Sequence, residues 1–267
     1  LMRAMYFSLG YLRIYDNNNI WVGIGSINKS INYMGYKMKN YQVFSLQILA
    51  YLSVIPMVLY GTVSHWLIAL FMYFVLNGLG MIMTYHRLLT HRSYKCPKWF
   101  EYLMTFITTF SFTGSSISWI AIHRKHHKYS DTEKDPHSPD HLGWFRVQFA
   151  TAFAKVEGRY ATDLMRDKFH LWQHKHYMKI ALGGIITCAL IDPMFCVYFL
   201  LFPAALTLFF GTLILSWAHK DRKPRTVFWL AIVTFGDAFH DIHHDRPNDY
   251  RLHKYDLIGW IIEKAFK

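Results

Sequence analysis

Imidazoles arrive in groups along this chain. His123, His126 and His127 stand at i, i+3 and i+4, a spacing that lays three rings on one helix face and lets them converge on a single point, read here as a metal. The same HxxHH spacing returns at His240, His243 and His244, and a pair five residues apart, His86 and His91, precedes both. Five residues turn an ideal α-helix by about 140°, so one of that pair must lie at or past a helix end to meet the other. With His219, nine of the 16 histidines cluster at the ends of apolar segments. Nine ligands exceed what one tetrahedral or octahedral ion uses, so two metals sharing a site is the economical reading. Imidazole suits iron, zinc, copper and nickel alike, and the spacing does not choose among them.

Carboxylates near these rings, Asp131, Asp135, Asp237, Asp241 and Asp245, are candidates to accept a ring N–H and fix the tautomer of a ligand. Capping or solvated charge is the blander role for each. Asp237 and Asp241 precede His240 and His243 closely enough to favour the first role, and Asp131 follows the first triplet. Of the other histidines, His65 lies in a turn between apolar runs, and His170, His174, His176 and His253 sit in polar, basic sequence that reads as surface or interface. His137 and His141 flank the Pro136/Pro139 turn, where a supporting role is the lesser expectation.

Positioning such clusters falls to the apolar segments. The chain has 267 residues, 53% of them hydrophobic and 18% aromatic, which is more apolar surface than a soluble fold hides comfortably. Spans are expected at about 43–60, 66–85, 177–191 and 195–217, paired into two hairpins. The apolar stretch Trp99 to Ile122 is long enough to cross as well. A crossing there would put His86/His91 and the first triplet on opposite faces, so it reads as one helix buried in protein or lying in the interface. None of the 29 lysines and arginines falls in either hairpin turn, which places both termini and every histidine cluster on the cytoplasmic side.

The net charge of +12 flanks apolar segments, so it suits a lipid surface rather than nucleic acid. Cys96, Cys188 and Cys196 show neither disulfide nor thiolate-metal spacing. No secretory signal is evident. Residues 1–37 read as a poorly ordered lead upstream of a start at Met38, in preference to an amphipathic interfacial segment, and 38–267 as a single domain. The expected fold is all-α: an integral membrane protein with four transmembrane helices and a cytoplasmic helical cap holding a polyhistidine dinuclear metal site.

These residues resemble the membrane fatty-acyl desaturases of the stearoyl-CoA desaturase and bacterial or cyanobacterial delta-9 type. The likeness is carried by His86-Arg-Leu-Leu-Thr-His91-Arg-Ser-Tyr94, by Trp119 through His123-Arg-Lys-His126-His127-Lys128 to Asp135-Pro-His-Ser-Pro139, and by Gly236 through His240-Asp-Ile-His243-His244 to Pro247-Asn-Asp-Tyr-Arg251. It spans roughly residues 41–255. It implies two iron ions held by the nine histidines, His219 being the family's extra ligand. It also implies O2 and two electrons removing two hydrogens from a saturated acyl chain on CoA or lipid, leaving a cis double bond at delta-9. The electrons would come from a separate donor resembling cytochrome b5 or a ferredoxin, and the basic cap would receive that donor, CoA phosphates or lipid headgroups.

The sequence departs from the family pattern at Leu215, where an asparagine is usual, and at Asp241 and Asp245-Arg246 in the third box. Two other readings stand beside the desaturase. One is a polyhistidine hydroxylase or ketolase with the same boxes. The other is a non-catalytic membrane metal- or heme-binding protein such as a transporter, which would carry histidines at mid-membrane depth rather than at segment ends.

Overall fold

The computed structural model describes residues 40–267 and a backbone pairing of Phe7–Ser8 with Tyr11–Leu12; the expectation for the remainder of 1–37 lies outside the described residues. The described chain is mostly helical, with strands of two residues each. Among the described residues, three helices are long and apolar enough to cross a membrane: α1 (Asn40–Tyr60), α2 (Val63–Thr90) and, later in the chain, Pro193–Trp217. Thr62 separates the first two. Its hydroxyl accepts from the His65 backbone N–H while its own N–H donates to His65 Nδ1 at 3.3 Å, so His65 is a capping residue of α2.

The second half of α2, Phe74–Thr90, winds as a π-helix. Its i→i+5 hydrogen bonds bring residues five apart over one another, and the His91 N–H bonds the His86 carbonyl at 3.1 Å. That is how two imidazoles at this spacing meet. His91 also ends the helix, as its separation from His86 requires.

The stretch expected as one non-crossing helix is two. Helix α3 (Lys98–Thr108) and α4 (Ser116–Tyr129) are divided where Phe112 (φ 57°) and Gly114 (φ 108°) take left-handed backbone, and Ser115 then caps α4 by accepting from the Ser118 N–H. Helix α3 buries Glu101, Met104, Thr105 and Thr108 and exposes Trp99, Leu103 and Phe106 on the other face, the pattern of an interfacial helix. Helix α4 packs Ile117, Ile120 and Ala121 into the main core against Met81, Tyr85 and Leu88 of α2.

Helix α5 (Lys168–Ile191), capped by Asp167, contains the segment expected as the third span. Its first half carries His174, Lys175, His176 and Lys179, which sets it apart from the three apolar helices. Asp192 caps α6 (Pro193–Trp217) through the Phe195 N–H. After α6 the chain forms α7 (His240–Asp245) and α8 (Leu257–Phe266), capped by Asp256. Ile258 and Ile262 of α8 join the core around α2.

Candidate metal centre

The nine histidines come together from four places. The end of α2 brings His86 and His91, α4 brings His123, His126 and His127, and α7 brings His240, His243 and His244. His219 opens a short turn-back beyond α6, in which His219–Lys220 pairs with Lys223–Pro224. Their ring nitrogens form two groups, each with its candidate ligand atoms within 4.8 Å of one another: His86, His91, His123, His127 and His243 in one, His126, His219, His240 and His244 in the other. Each HxxHH triplet is therefore shared. The i,i+4 pair of α4 goes to the first group and its i+3 ring to the second, while α7 does the reverse. The expectation that a triplet converges on one point is corrected here, because the middle histidine leans across to the neighbouring group.

Carboxylates set the ring orientations. Asp237 Oδ1 lies 2.7 Å from His86 Nδ1, Asp135 is 2.9 Å from His126 Nδ1 and Asp131 is 3.0 Å from His219 Nδ1. In each case the carboxylate claims the Nδ1–H and leaves the Nε2 lone pair pointing inward. Asp241 does otherwise: it accepts from the Thr226 hydroxyl and from the Ile242 N–H, which anchors the start of α7 without touching a ring. Asp245 is exposed.

The inward nitrogens are short of donors. His86 and His243 face each other through Nε2 at 2.9 Å, and His219 and His240 at 2.8 Å. Nε2 of His91, His123 and His126 is buried with no hydrogen-bond partner. Lone pairs crowded together in a dry site are a poor arrangement by themselves and a good one around cations, so the residues fit a pair of metal ions.

Burial holds the rings in the neutral form that ligates. It pushes His123, His126, His240 and His243 well below the usual imidazole range, with neighbouring imidazoles adding to the effect. His91 and His127 are likewise lowered, and His244 falls to about 2. Burial would raise Asp131, but the hydrogen bond from His219 outweighs it and keeps the carboxyl below its ordinary value. In Asp135 burial prevails and raises it.

Beside the centre lies a cavity of about 90 Å³, bounded by His86, His123 and His240 at one end and by Met81, Leu208 and Leu215 further along. Leu215 thus presents an aliphatic wall. His137 also lines the cavity, buried and with Nδ1 unpartnered, so it sits closer to the site than its turn position suggested.

Two histidines read as surface or interface residues are instead held against buried serines. His170 is fully buried between Ser116 Oγ at 3.0 Å and Glu101 at 3.1 Å, and His174 bonds Ser115 at 2.6 Å. The group Glu101, Asp167 and His170 has its cation supplied by the protein, since Lys98 Nζ is 2.7 Å from Glu101 and 3.5 Å from Asp167. Nothing in the spacing of these residues marks them in advance, because their partners Glu101, on α3, and Ser115 and Ser116, at the start of α4, are far from α5 in sequence.

Comparison with known proteins gives a consistent result. The Fatty acid desaturase family matches residues 62–267. The chain is 32% identical over 215 residues to Delta-9 acyl-lipid desaturase 2 of Arabidopsis thaliana, covering 74% of the chain and 70% of that relative. It is 30% identical over 192 residues to the sn-1 stearoyl-lipid 9-desaturase of Synechocystis sp., covering 66% of the chain and 59% of the relative. Over 218 residues it is 32% identical to the Probable acyl-CoA desaturase of Schizosaccharomyces pombe, covering 69% of the chain and 43% of that relative.

Proposed function

The chain belongs to the fatty acid desaturase family, and from that premise we propose that it is an O2-dependent, di-iron acyl desaturase placing a cis double bond at delta-9 in a saturated chain carried on CoA or lipid. The overall change takes two hydrogens from adjacent methylenes, with O2, two electrons and two protons, and yields the alkene and two waters. The observation that carries this reading is the apolar cavity ending on His86, His123 and His240, where an unactivated hydrocarbon would lie against the ligand set.

His86, His91, His123, His127 and His243 would hold one iron, and His126, His219, His240 and His244 the other. The bound pair would supply O2 activation. The chain's own residues do the rest. Asp237, Asp135 and Asp131 keep Nε2 unprotonated and aimed inward, burial keeps the imidazoles neutral, and Met81, Leu208 and Leu215 exclude water while fixing which methylenes stand at the ligands. Electrons would come from a separate donor of the cytochrome b5 or ferredoxin kind.

The surrounding architecture in this reading is a single domain over 38–267 with four spans in two hairpins, α5 crossing together with α6. The metal centre and both termini face the cytoplasm. Expression in a host that makes no unsaturated acyl chains, with fatty-acid and iron analysis, tests the function. Product should contain a delta-9 double bond, and His126→Ala or His243→Ala should abolish it. Undiminished product from either variant would sink the dinuclear assignment, and a hydroxylated product would replace desaturation with hydroxylation.

A further inference from the structure

Between Gly143 and Ala154 the sequence reads Gly-Trp-Phe-Arg-Val-Gln-Phe-Ala-Thr-Ala-Phe-Ala, one arginine among aromatic and small residues. Gly143, at φ 80°, starts a short helix, Trp144–Phe149, and a single turn follows at Thr151–Phe153. Buried Gln148 pins this segment to α6: its amide donates to the Phe209 carbonyl and to Thr212 Oγ1, and its Oε1 accepts from Ser216 at 2.8 Å. On the other side Phe149 meets Tyr51 and Phe153 meets Phe44. Those α1 residues are seven positions apart, about 10 Å along a helix. The segment therefore runs alongside an apolar helix instead of sitting beyond its end.

Its outer surface is apolar and aromatic: Trp144, Phe145 and Phe153 are exposed, Phe145 at 71%. Between them Arg146 is exposed, and its guanidinium has no hydrogen-bond or ion-pair partner among the described residues. Arg146 edges a small pocket of about 20 Å³ walled by Leu142, Val147 and Ala150, with His137 and Thr151 behind them. His137 and Thr151 also line the cavity at the metal ligands. The pocket at the aromatic-flanked arginine and the cavity at the candidate ligands are thus separate spaces with a common wall, His137 and Thr151.

Resting on the desaturase reading, we propose that this pocket is the portal through which the acyl chain of a membrane phospholipid reaches the cavity, with the lipid phosphate held at Arg146. Exposed aromatic side chains on a segment packed along an apolar helix suit a lipid source, and a guanidinium without a partner among the described residues suits a phosphate diester. A water-soluble thioester carrier offers phosphates of the same chemistry, but it would leave Trp144, Phe145 and Phe153 facing water.

Photolabelling tests this without needing O2 or electrons. The full chain is placed in phospholipid nanodiscs doped with a phosphatidylglycerol bearing a diazirine near the carboxyl end of one acyl chain. The label should fall on the peptide 142–154 and persist when stearoyl-CoA is added. Arg146→Glu should lower the yield there about tenfold, the loss of one charge-assisted contact, and Ala150→Trp should lower it by filling the pocket. Labelling confined to other peptides, displacement by stearoyl-CoA, or undiminished yield in Arg146→Glu would overturn the portal. The wild-type competition decides the matter even if a variant fails to fold. A correctly labelled protein that forms no double bond would count against the desaturase reading and leave the portal standing.

Discussion

A carboxylate behind an imidazole decides which nitrogen is left for a metal, and three of the nine rings have one. Removing that anion while keeping its shape isolates the effect. Asp237→Asn should cut iron retention or product yield by about 10- to 100-fold, because the His86 Nδ1–H loses its charged acceptor and the ring is free to present the wrong tautomer. Asp241→Asn should change either by less than about twofold, since Asp241 holds the Thr226 hydroxyl and no ring. Iron content after purification, with product yield in cells, reads both variants. Six of the nine histidines were legible because a repeated HxxHH spacing survives without a structure, and His86, His91 and His219 because they stand at the ends of apolar segments. The choice among aspartates was legible only in part: Asp131 and Asp237 do close onto rings, Asp241 lies within a histidine triplet and meets none of its rings, and Asp135, nine residues from His126, closes onto it through the turn at Asp131 (φ 60°).

Between elements the contacts that matter are ionic and partly or wholly dry. Arg87, on α2 one residue after His86, donates to the Tyr250 carbonyl at 2.7 Å and to Asp256 at 2.8 Å, and both side chains are buried. Asp256 also accepts from the Leu252 and Gly259 N–H groups. Gly236 passes so close that a Cβ there would stand 2.1 Å from Asp256 Oδ1. Asp256→Ala strands the arginine and uncaps α8, at a cost of roughly 3–5 kcal/mol. Glu263→Ala, which breaks the half-exposed pair with Arg251, should cost under about 1 kcal/mol. Apparent melting temperatures in detergent should fall steeply in the first variant and scarcely in the second.

Asp163 gives the corresponding pH test. Burial alone would raise its carboxyl, but hydrogen bonds from Arg124 and then Arg92 hold it well below the usual carboxylate range. Arg124 in turn donates to the carbonyls of Leu89 and Thr90, beside His91. A depressed folded value means the stabilisation is complete above the unfolded value near pH 4 and is lost as pH falls further. Asp163→Asn should therefore melt lower than wild type from pH 7 to pH 5, and the gap should narrow only below about pH 4. A gap independent of pH would show that the charge is not what holds α4 to the end of α2. The ties of Arg124 and Arg87 were hidden in the sequence because their partners lie 34 to 169 residues apart. The division of α3 from α4 was hidden for another reason: Gly114 signals a break, but Phe112 in left-handed backbone does not.

On the scale of the whole molecule, the topology turns on α5. Hydropathy picked out α1, α2 and α6 cleanly, whereas the residues that make α5 polar are at one end only. Tyr177–Ile191 would rise about 22 Å, short of the roughly 30 Å of hydrocarbon. With Lys175 and His176 reaching back toward the headgroups, the 24-residue helix has length to spare. Its exposed residues favour a crossing: Leu182, Ile186 and Leu190 form a stripe four residues apart and Ile191 extends it, a face that the described residues leave exposed and lipid would satisfy. Acceptor sites for glycosylation, inserted singly at Gly61, at Asp192, after Gly143 and at the C-terminus, should report this in a eukaryotic microsomal system. Modification is expected at Gly61 and Asp192 and at neither of the others. An unmodified site at Asp192 with a modified one at Gly61 would keep α5 and the start of α6 on the side of the metal centre. Because α6 is a candidate span that leads directly to His219, that outcome would also move His219 away from the other eight histidines, contrary to the 2.8 Å between its Nε2 and that of His240. The ligand geometry and the topology therefore stand or fall on the same experiment.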